Sequence, residues 1–365
     1  MMKTVKRTGL ILPEFRLSPF ILVLLVLVGS CVTPYQPDTQ SIGSALVVEG
    51  LITDQPGPYA VNLSQTANYS YASLNLLISG ATVILADNAG NQEVLKEIRP
   101  GSYQTAPNGI RGVAGRSYKI SIRTASGKQY ESPLELLKPA PPITQLKYEY
   151  QYNPAPFEND KKNTWEVFLD TKDPETPGDY YRWIWKNYEF TPACKLSDNI
   201  NAEGFYVGIP CCTNCWNINQ CYSNCINISS DAAINGKAIS RQYIMSVPFT
   251  SRSSYYLEVE QQSISPGAFQ FFNSVKKLVN NTGGLFDSAP ATVGGNLKCI
   301  SNPDEVVYGY FGAAGVSVMA LKVDRTKDAV GIPNGKNIAL DNMAPCLVCE
   351  NSIYRTPNKP RFWDQ

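Results

Sequence analysis

The sequence predicts a mainly β protein built as two sandwich-like units, of the immunoglobulin/transthyretin or fibronectin kind, with one helix and a Cys-rich insert in the second. Three observations carry this expectation. Between residues 44 and 137, short apolar runs recur with Gly, Pro, Asn and Asp turns between them. One stretch has convincing helical apolar spacing, at about 266–281. The 365 residues are 43% apolar and 11% aromatic, enough for one large domain or two ordinary ones and too much for a disordered chain.

The elements follow in order. Lys3, Lys6 and Arg7 precede the apolar run Phe20–Val28, whose nine residues are too few to span a bilayer, which needs roughly 20. The run ends in Val28-Gly29-Ser30-Cys31, which resembles a bacterial lipobox, so residues 1–30 are read as a lipoprotein signal peptide and Cys31 as the lipidated residue. Two or three acyl chains would then anchor the protein, since one alone holds only marginally. Residue 32 is Val, not Asp, which leaves out the inner-membrane retention signal and points to the outer membrane. Either face of that membrane stays open. Removing Lys3, Lys6, Arg7, Arg16 and Glu14 leaves 28 basic and 30 acidic residues and a formal charge of −2. Residues 31–43, with Pro34 and Pro37, read as an extended tether.

Residues 44–137 form the first sandwich, from the runs 45–52, 59–63, 81–85, 101–103, 118–122 and 128–130. Asp87-Asn88-Ala89-Gly90-Asn91 is a hairpin turn. Lys138-Pro139-Ala140-Pro141-Pro142 opens a linker over 138–144. The second unit, 145–365, begins with the tyrosine-bearing strand 145–152, and 165–170 and 180–185 read as neighbouring strands. Ser265 caps the helix, Pro266 suits its first turn, and Phe269, Phe272, Val275 and Val279 form its apolar stripe. Thr282-Gly283-Gly284 stops it, and 306–311 and 316–321 supply late strands.

Composition removes several function classes. With 32 basic and 31 acidic residues, no charge surplus marks a nucleic-acid partner. The absence of histidine removes Ser-His-Asp and Cys-His systems, histidine bases and most catalytic zinc sites. No catalytic residue and no cofactor is expected. Nine cysteines remain beside Cys31: Cys194, Cys211, Cys212, Cys215, Cys221, Cys225, Cys299, Cys346 and Cys349. Five of them lie between 211 and 225, in an insert of about 194–225 that is too poor in large apolar residues to build its own core. In an exported chain, disulfides are favoured over a tetrathiolate zinc or a redox dithiol. The Cys346-x2-Cys349 segment is read as structural, bonded to the insert or to Cys299. Nine is odd, so one thiol stays free if every bond is internal. Asp170, Asp173, Glu175 and Asp179 crowd one loop as a weak alternative for calcium, at no EF-hand spacing. Trp183, Trp185, Tyr188 and Phe190 are core before they are a sugar-stacking platform.

Several motifs occur in a recognisable order: Tyr180-Tyr181-Arg182-Trp183, 281–287, Gly294-Gly295-Asn296-Leu297, Val307-Tyr308-Gly309-Tyr310-Phe311, and 346–349 through 359–363. With the lipobox they resemble the domain-of-unknown-function 4249 family of Bacteroidota lipoproteins, over nearly the whole mature chain. The Cys-dense insert is a departure. The resemblance implies no established activity. It implies an accessory of a TonB-dependent outer-membrane receptor, non-catalytic and engaged in nutrient uptake. The alternative is a free-standing surface adhesin or glycan-binding protein, and a carboxylate- or metal-dependent hydrolase is a third reading.

Overall fold

A computed structural model describes residues 44–66, 76–152, 163–200, 206–221, 225–280, 292–331, 333 and 349–364, with side chains for all of these except 192–200 and 206–213. The chain before the linker forms β1 (Leu46–Thr53), β2 (Ala60–Gln65), β3 (Leu76–Leu77), β4 (Thr82–Asp87), β5 (Gln92–Val94), β6 (Lys96–Arg99), β7 (Ser102–Gln104), β8 (Ser117–Arg123), β9 (Gln129–Glu131) and β10 (Glu135–Leu136). After it come β11 (Ile143–Tyr152), β12 (Asn163–Lys172), β13 (Tyr180–Ile200), β14 (Tyr206–Gln220), β15 (Asn227–Ser230), β16 (Ala238–Pro248), β17 (Tyr255–Ile264), helix α1 (Pro266–Asn280), β18 (Lys298–Cys299), β19 (Tyr308–Val323) and β20 (Arg355–Thr356). Among the described residues no helix is long and apolar enough to cross a membrane.

The fold is mainly β, with one long sheet serving two packed layers. The long sheet runs β20-β14-β13-β17-β19-β1-β2-β7-β6, with β15 beside β13 and β3 beside β2. Against one end lies a six-stranded sheet, β18-β9-β8-β4-β5 with β10 on β8. Against the other lies β11-β12-β16. Strand alternation decides which side chains meet between the layers. Val48, Ile52, Leu63 and Tyr103 of the long sheet face Val83, Leu85, Ile120 and Ile122 in the first core. In the second, Trp165, Val167, Leu169 and Val247 pack against Trp183, Leu257, Val259 and Val323. Each such side chain taken out of water contributes about 1.5–3 kcal/mol. The expected hairpin turn is present: Asp87 Oδ1 accepts from the backbone N–H of Ala89 at 2.9 Å and of Asn91 at 2.8 Å.

β19 joins the halves. Its residues Tyr308–Ala314 pair in parallel with Val47–Thr53 of β1, and Gly315–Val323 pair antiparallel with Tyr255–Ser263 of β17. Two glycines allow this. Gly309 has φ +81°, and a Cβ there would meet the Val48 carbonyl oxygen at 2.0 Å. At Gly315 a Cβ would meet the Lys138 carbonyl oxygen at 2.3 Å; its N–H instead donates to that oxygen at 2.9 Å. The proline-rich segment after β10 therefore crosses over β19 at its midpoint.

Several sequence expectations change here. The runs 306–311, from Tyr308 on, and 316–321 belong to one strand, and the Gly312–Gly315 stretch between them reads as a break only because it lacks bulk. The division at 138–144 is not a division of the sheet. β18 and the first half of β19 complete the layers begun before the linker, and Gly43–Gln365 clusters as one compact unit. Strands 165–170 and 180–185 are not neighbours: β12 pairs β11 and β16, whereas β13 pairs β14, β15 and β17, and the two strands contribute Trp165 and Trp183 to one core from opposite layers. Helix α1 starts as expected, with the Ala268 N–H donating to Ser265 Oγ at 3.1 Å. Its apolar stripe is used only in part. Ala268, Phe269 and Phe272 pack against Ile264 and Ala314, while Val279 is exposed.

Candidate functional site

β13 changes partner along one edge. Tyr180–Trp183 pair with β15, and pairing with β14 begins only at Lys186 opposite Gln220. Ile184 and Trp185 lie between, with no ladder partner on that edge among the described residues. The interruption arises because the chain leaves the ladder after Gln220 and rejoins it at Asn227, and the Cys221–Cys225 disulfide closes that excursion. A cavity of about 840 Å³ opens at the gap, reaching from the helix side of the long sheet to the three-stranded sheet. Arg182, Trp185 and Lys186 of β13 line it, with Tyr243 and Met245 of β16 and Lys276 of α1. Three cations and no carboxylate are among its lining residues.

Arg182 is the unusual member. Its guanidinium carbon lies 4.2 Å from the centroid of the Phe272 ring, a cation–π contact. Its Nε is buried and without a hydrogen-bond partner. Burial pulls Arg182 below the ordinary arginine pKa, and the nearby Glu260 only partly offsets this. Glu260 lies 3.6 Å from Arg361.

A second cluster gathers two of the four acids singled out in the sequence. Asp173, Asp179 and Asp231 are buried, with oxygens within 4.8 Å of one another. Their oxygens already accept from protein donors. Asp173 takes the Tyr181 hydroxyl and the Gly236 N–H, and Asp179 takes Lys138 Nζ at 3.0 Å and Thr176 Oγ1. Asp231 Oδ2 takes the N–H groups of Gly178 at 2.7 Å and Asp179 at 2.9 Å. The cluster pins the 173–179 turn and the start of the 231–237 loop to the linker lysine. Asp170 is elsewhere, paired with Lys147 at 2.7 Å, and Glu175 is exposed. Another cavity, of about 590 Å³ beside α1, has Glu135 in its wall, but Tyr310, Asn296 and Ser265 all donate to that carboxylate.

A family model described as a domain of unknown function (DUF4249) matches residues 32–319. The chain belongs to this family. No curated protein matches it. In this DUF4249 chain the expected Cys-rich insert is the β13–β14 hairpin and the excursion after it. Cys349 joins Cys215 with Cα atoms 5.8 Å apart, the structural bond to the insert that the sequence suggested for the Cys346-x2-Cys349 segment. Cys299 is buried in the first core as a free thiol. Cys194, Cys211 and Cys212 lie on β13 and β14 with their side chains outside the described residues, and Cys31 and Cys346 lie outside them altogether.

The aromatic run of β13 divides between the two faces of the sheet. Trp183 is fully buried, Trp185 packs beside it, and Phe190 is 47% exposed. The sequence marked Arg182 only as part of the Tyr180–Trp183 motif, with no site role, and gave Asp231 none. Arg182 alternates with the core residues Tyr181 and Trp183, so its face reads as solvent until α1 covers it. Asp231 had no local signal, being 52 residues from Asp179.

Three buried tyrosines of this DUF4249 protein give a pH prediction. Tyr130, Tyr181 and Tyr256 donate to Glu305, Asp173 and Glu258, and burial first, then these carboxylates, hold their ionisation well above the ordinary value near 10. Above pH ~10 the unfolded chain loses phenolic protons that the folded chain keeps, so stability is full below that pH and falls above it. Melting in a pH series should show a steep alkaline decline, and phenolate absorbance should appear in step with unfolding. Free titration of all 21 tyrosines in the still-folded protein would contradict this.

Proposed function

We propose that this protein is a non-catalytic outer-membrane lipoprotein, anchored through Cys31, that binds a small ligand and serves as an accessory of a TonB-dependent receptor in nutrient uptake. The cavity at the β13 break carries the binding part of this reading. Its volume of about 840 Å³ lies within the range of small-molecule sites, roughly 300–1,000 Å³, and cations, aromatic rings and a thioether are groups that hold a ligand. The surrounding sheets fix those groups in place. The anchor is supported by the sequence Lys3 to Cys31, and the receptor by the family resemblance.

The test is an affinity capture of the lipidated protein from its own outer membrane, followed by mass spectrometry. A stoichiometric β-barrel receptor is the expected companion. Recovery of the protein alone would reject the receptor and favour a free-standing adhesive or glycan-binding protein. The exposed rings of Phe190, on β13, and Tyr354, just before β20, would then be the contact surface to probe on glycan arrays.

A further inference from the structure

The ligand's chemical class can be read from Arg182. A guanidinium carries five N–H donors in a fixed fork, and leaving buried donors unmatched is destabilising. Arg325 shows how this chain treats a buried arginine that has only a structural role: all three guanidinium nitrogens donate to carbonyl or hydroxyl oxygens of residues 248–253. The Arg182 guanidinium has no hydrogen bond to protein among the described residues, although its Nε is buried and its carbon lies 4.2 Å from the Phe272 ring centroid. Lys186 and Lys276, on the same cavity, form no ion pair among the described residues. The remaining wall combines apolar and aromatic side chains, Trp185, Tyr243, Met245 and Tyr255 among them, with the neutral polar Gln220, Asn227, Ser246 and Asn280.

We infer that the cavity at the β13 break binds a small anion, a carboxylate or a phosphate monoester with an aromatic or aliphatic body, whose charged head is held by the Arg182 fork and whose body lies against the aromatic wall. This rests on the binding role proposed above and adds the ligand's chemistry to it. A carboxylate or phosphate matches the fork bidentately, which a neutral polar group does not. Lys186 and Lys276 add positive charge at the same cavity without fixing geometry.

The test is isothermal titration of the purified full-length chain with 2-naphthoate, 2-naphthyl phosphate and the neutral 2-naphthamide. One or both anions should bind at least tenfold more tightly than the amide, and whichever is tighter identifies the head group. Arg182→Gln should remove that preference, and Arg182→Lys should restore it better for the phosphate than for the carboxylate. Without any probe, Arg182→Gln should melt at or above the wild-type temperature, because it removes a desolvated charge whose guanidinium is without a hydrogen bond; an arginine with a purely structural role would lower it. If Arg182→Gln fails to fold, the double variant Lys186→Gln/Lys276→Gln provides the second reading, with anion affinity lowered about tenfold and amide affinity unchanged. Equal binding of amide and anions, or an unaltered preference in a folded Arg182→Gln chain, overturns the inference. Silence toward all three probes also overturns it, while a receptor recovered from the membrane would leave the accessory role standing. Selective anion binding without a receptor would do the reverse.

Discussion

Replacing Cys215 and Cys349 together by serine is expected to lower global stability by roughly 3–5 kcal/mol. The bond closes a loop of 134 residues, and in the chain-entropy account a loop of that size restrains the unfolded state by about 5 kcal/mol at most. The native fold should persist in the variant, because the tail keeps its other attachments. β20 pairs with β14 through Trp216–Thr356 and Asn217–Arg355, and Trp363 packs against Trp216 and Tyr256 with ring centroids 5.8 and 5.1 Å away. Arg361 reaches Glu258 at 3.1 Å. These contacts are local to residues 349–364, so the tail should become the first segment cut by protease while the sandwiches resist. Urea unfolding of oxidised wild type and the double serine variant measures the difference. An unchanged midpoint would show that the bond does not restrain the unfolded chain as described.

Arg325→Ala is expected to cost about 3–5 kcal/mol. The residue is 1% exposed, and its Nε donates to the Ser253 carbonyl at 2.9 Å. Nη1 reaches the Pro248 carbonyl at 3.1 Å and Thr250 Oγ1 at 2.9 Å, and Nη2 reaches Ser251 Oγ at 2.6 Å. Those acceptors lie at the end of β16 and in the loop that leads to β17, where the chain passes from the three-stranded sheet to the long one. Truncation would leave the Ser253 carbonyl and the Thr250 and Ser251 hydroxyls without this donor, each a loss of about 1–3 kcal/mol where water does not replace it, and would open a void beneath Tyr255. Arg325→Lys should recover less than half of the loss, since one ammonium cannot reproduce the planar fork. A loss below about 1 kcal/mol for the alanine variant would show that water replaces the guanidinium, and the loop clamp would have to be abandoned.

The sequence made the local elements legible and the long-range ones illegible. Residues 165–170 could be read as a strand because Trp165, Val167 and Leu169 recur at every second position, and all three are buried, while Phe168 between them lies beside Tyr243. The start of α1 was legible because capping is decided within four residues of sequence. The β13–β14 hairpin was not: its Asn- and Cys-rich residues lack an apolar face, yet a backbone ladder and cross-links hold them. Nor could the parallel partner of β1 be found, since nothing local in Leu46–Thr53 names residues 308–314. The site follows the same rule. Asp173 and Asp179 stood out as near neighbours in sequence, whereas Asp231 and the cover over Arg182 come from pairings decided at a distance.

The parallel pairing of β1 with β19 also orders events in time. A chain that emerges N-terminus first presents Val47 and its neighbours long before residues 308–314 exist to receive them. Until then the inner edge of β1 is an open strand of unpaired amides and carbonyls, the kind of edge that recruits foreign strands. The wait spans most of the polypeptide, and contacts so far apart in sequence are slow to close even in a completed chain. Completion of the first sandwich thus waits for residues 308–314, although its first strand is among the first segments to appear.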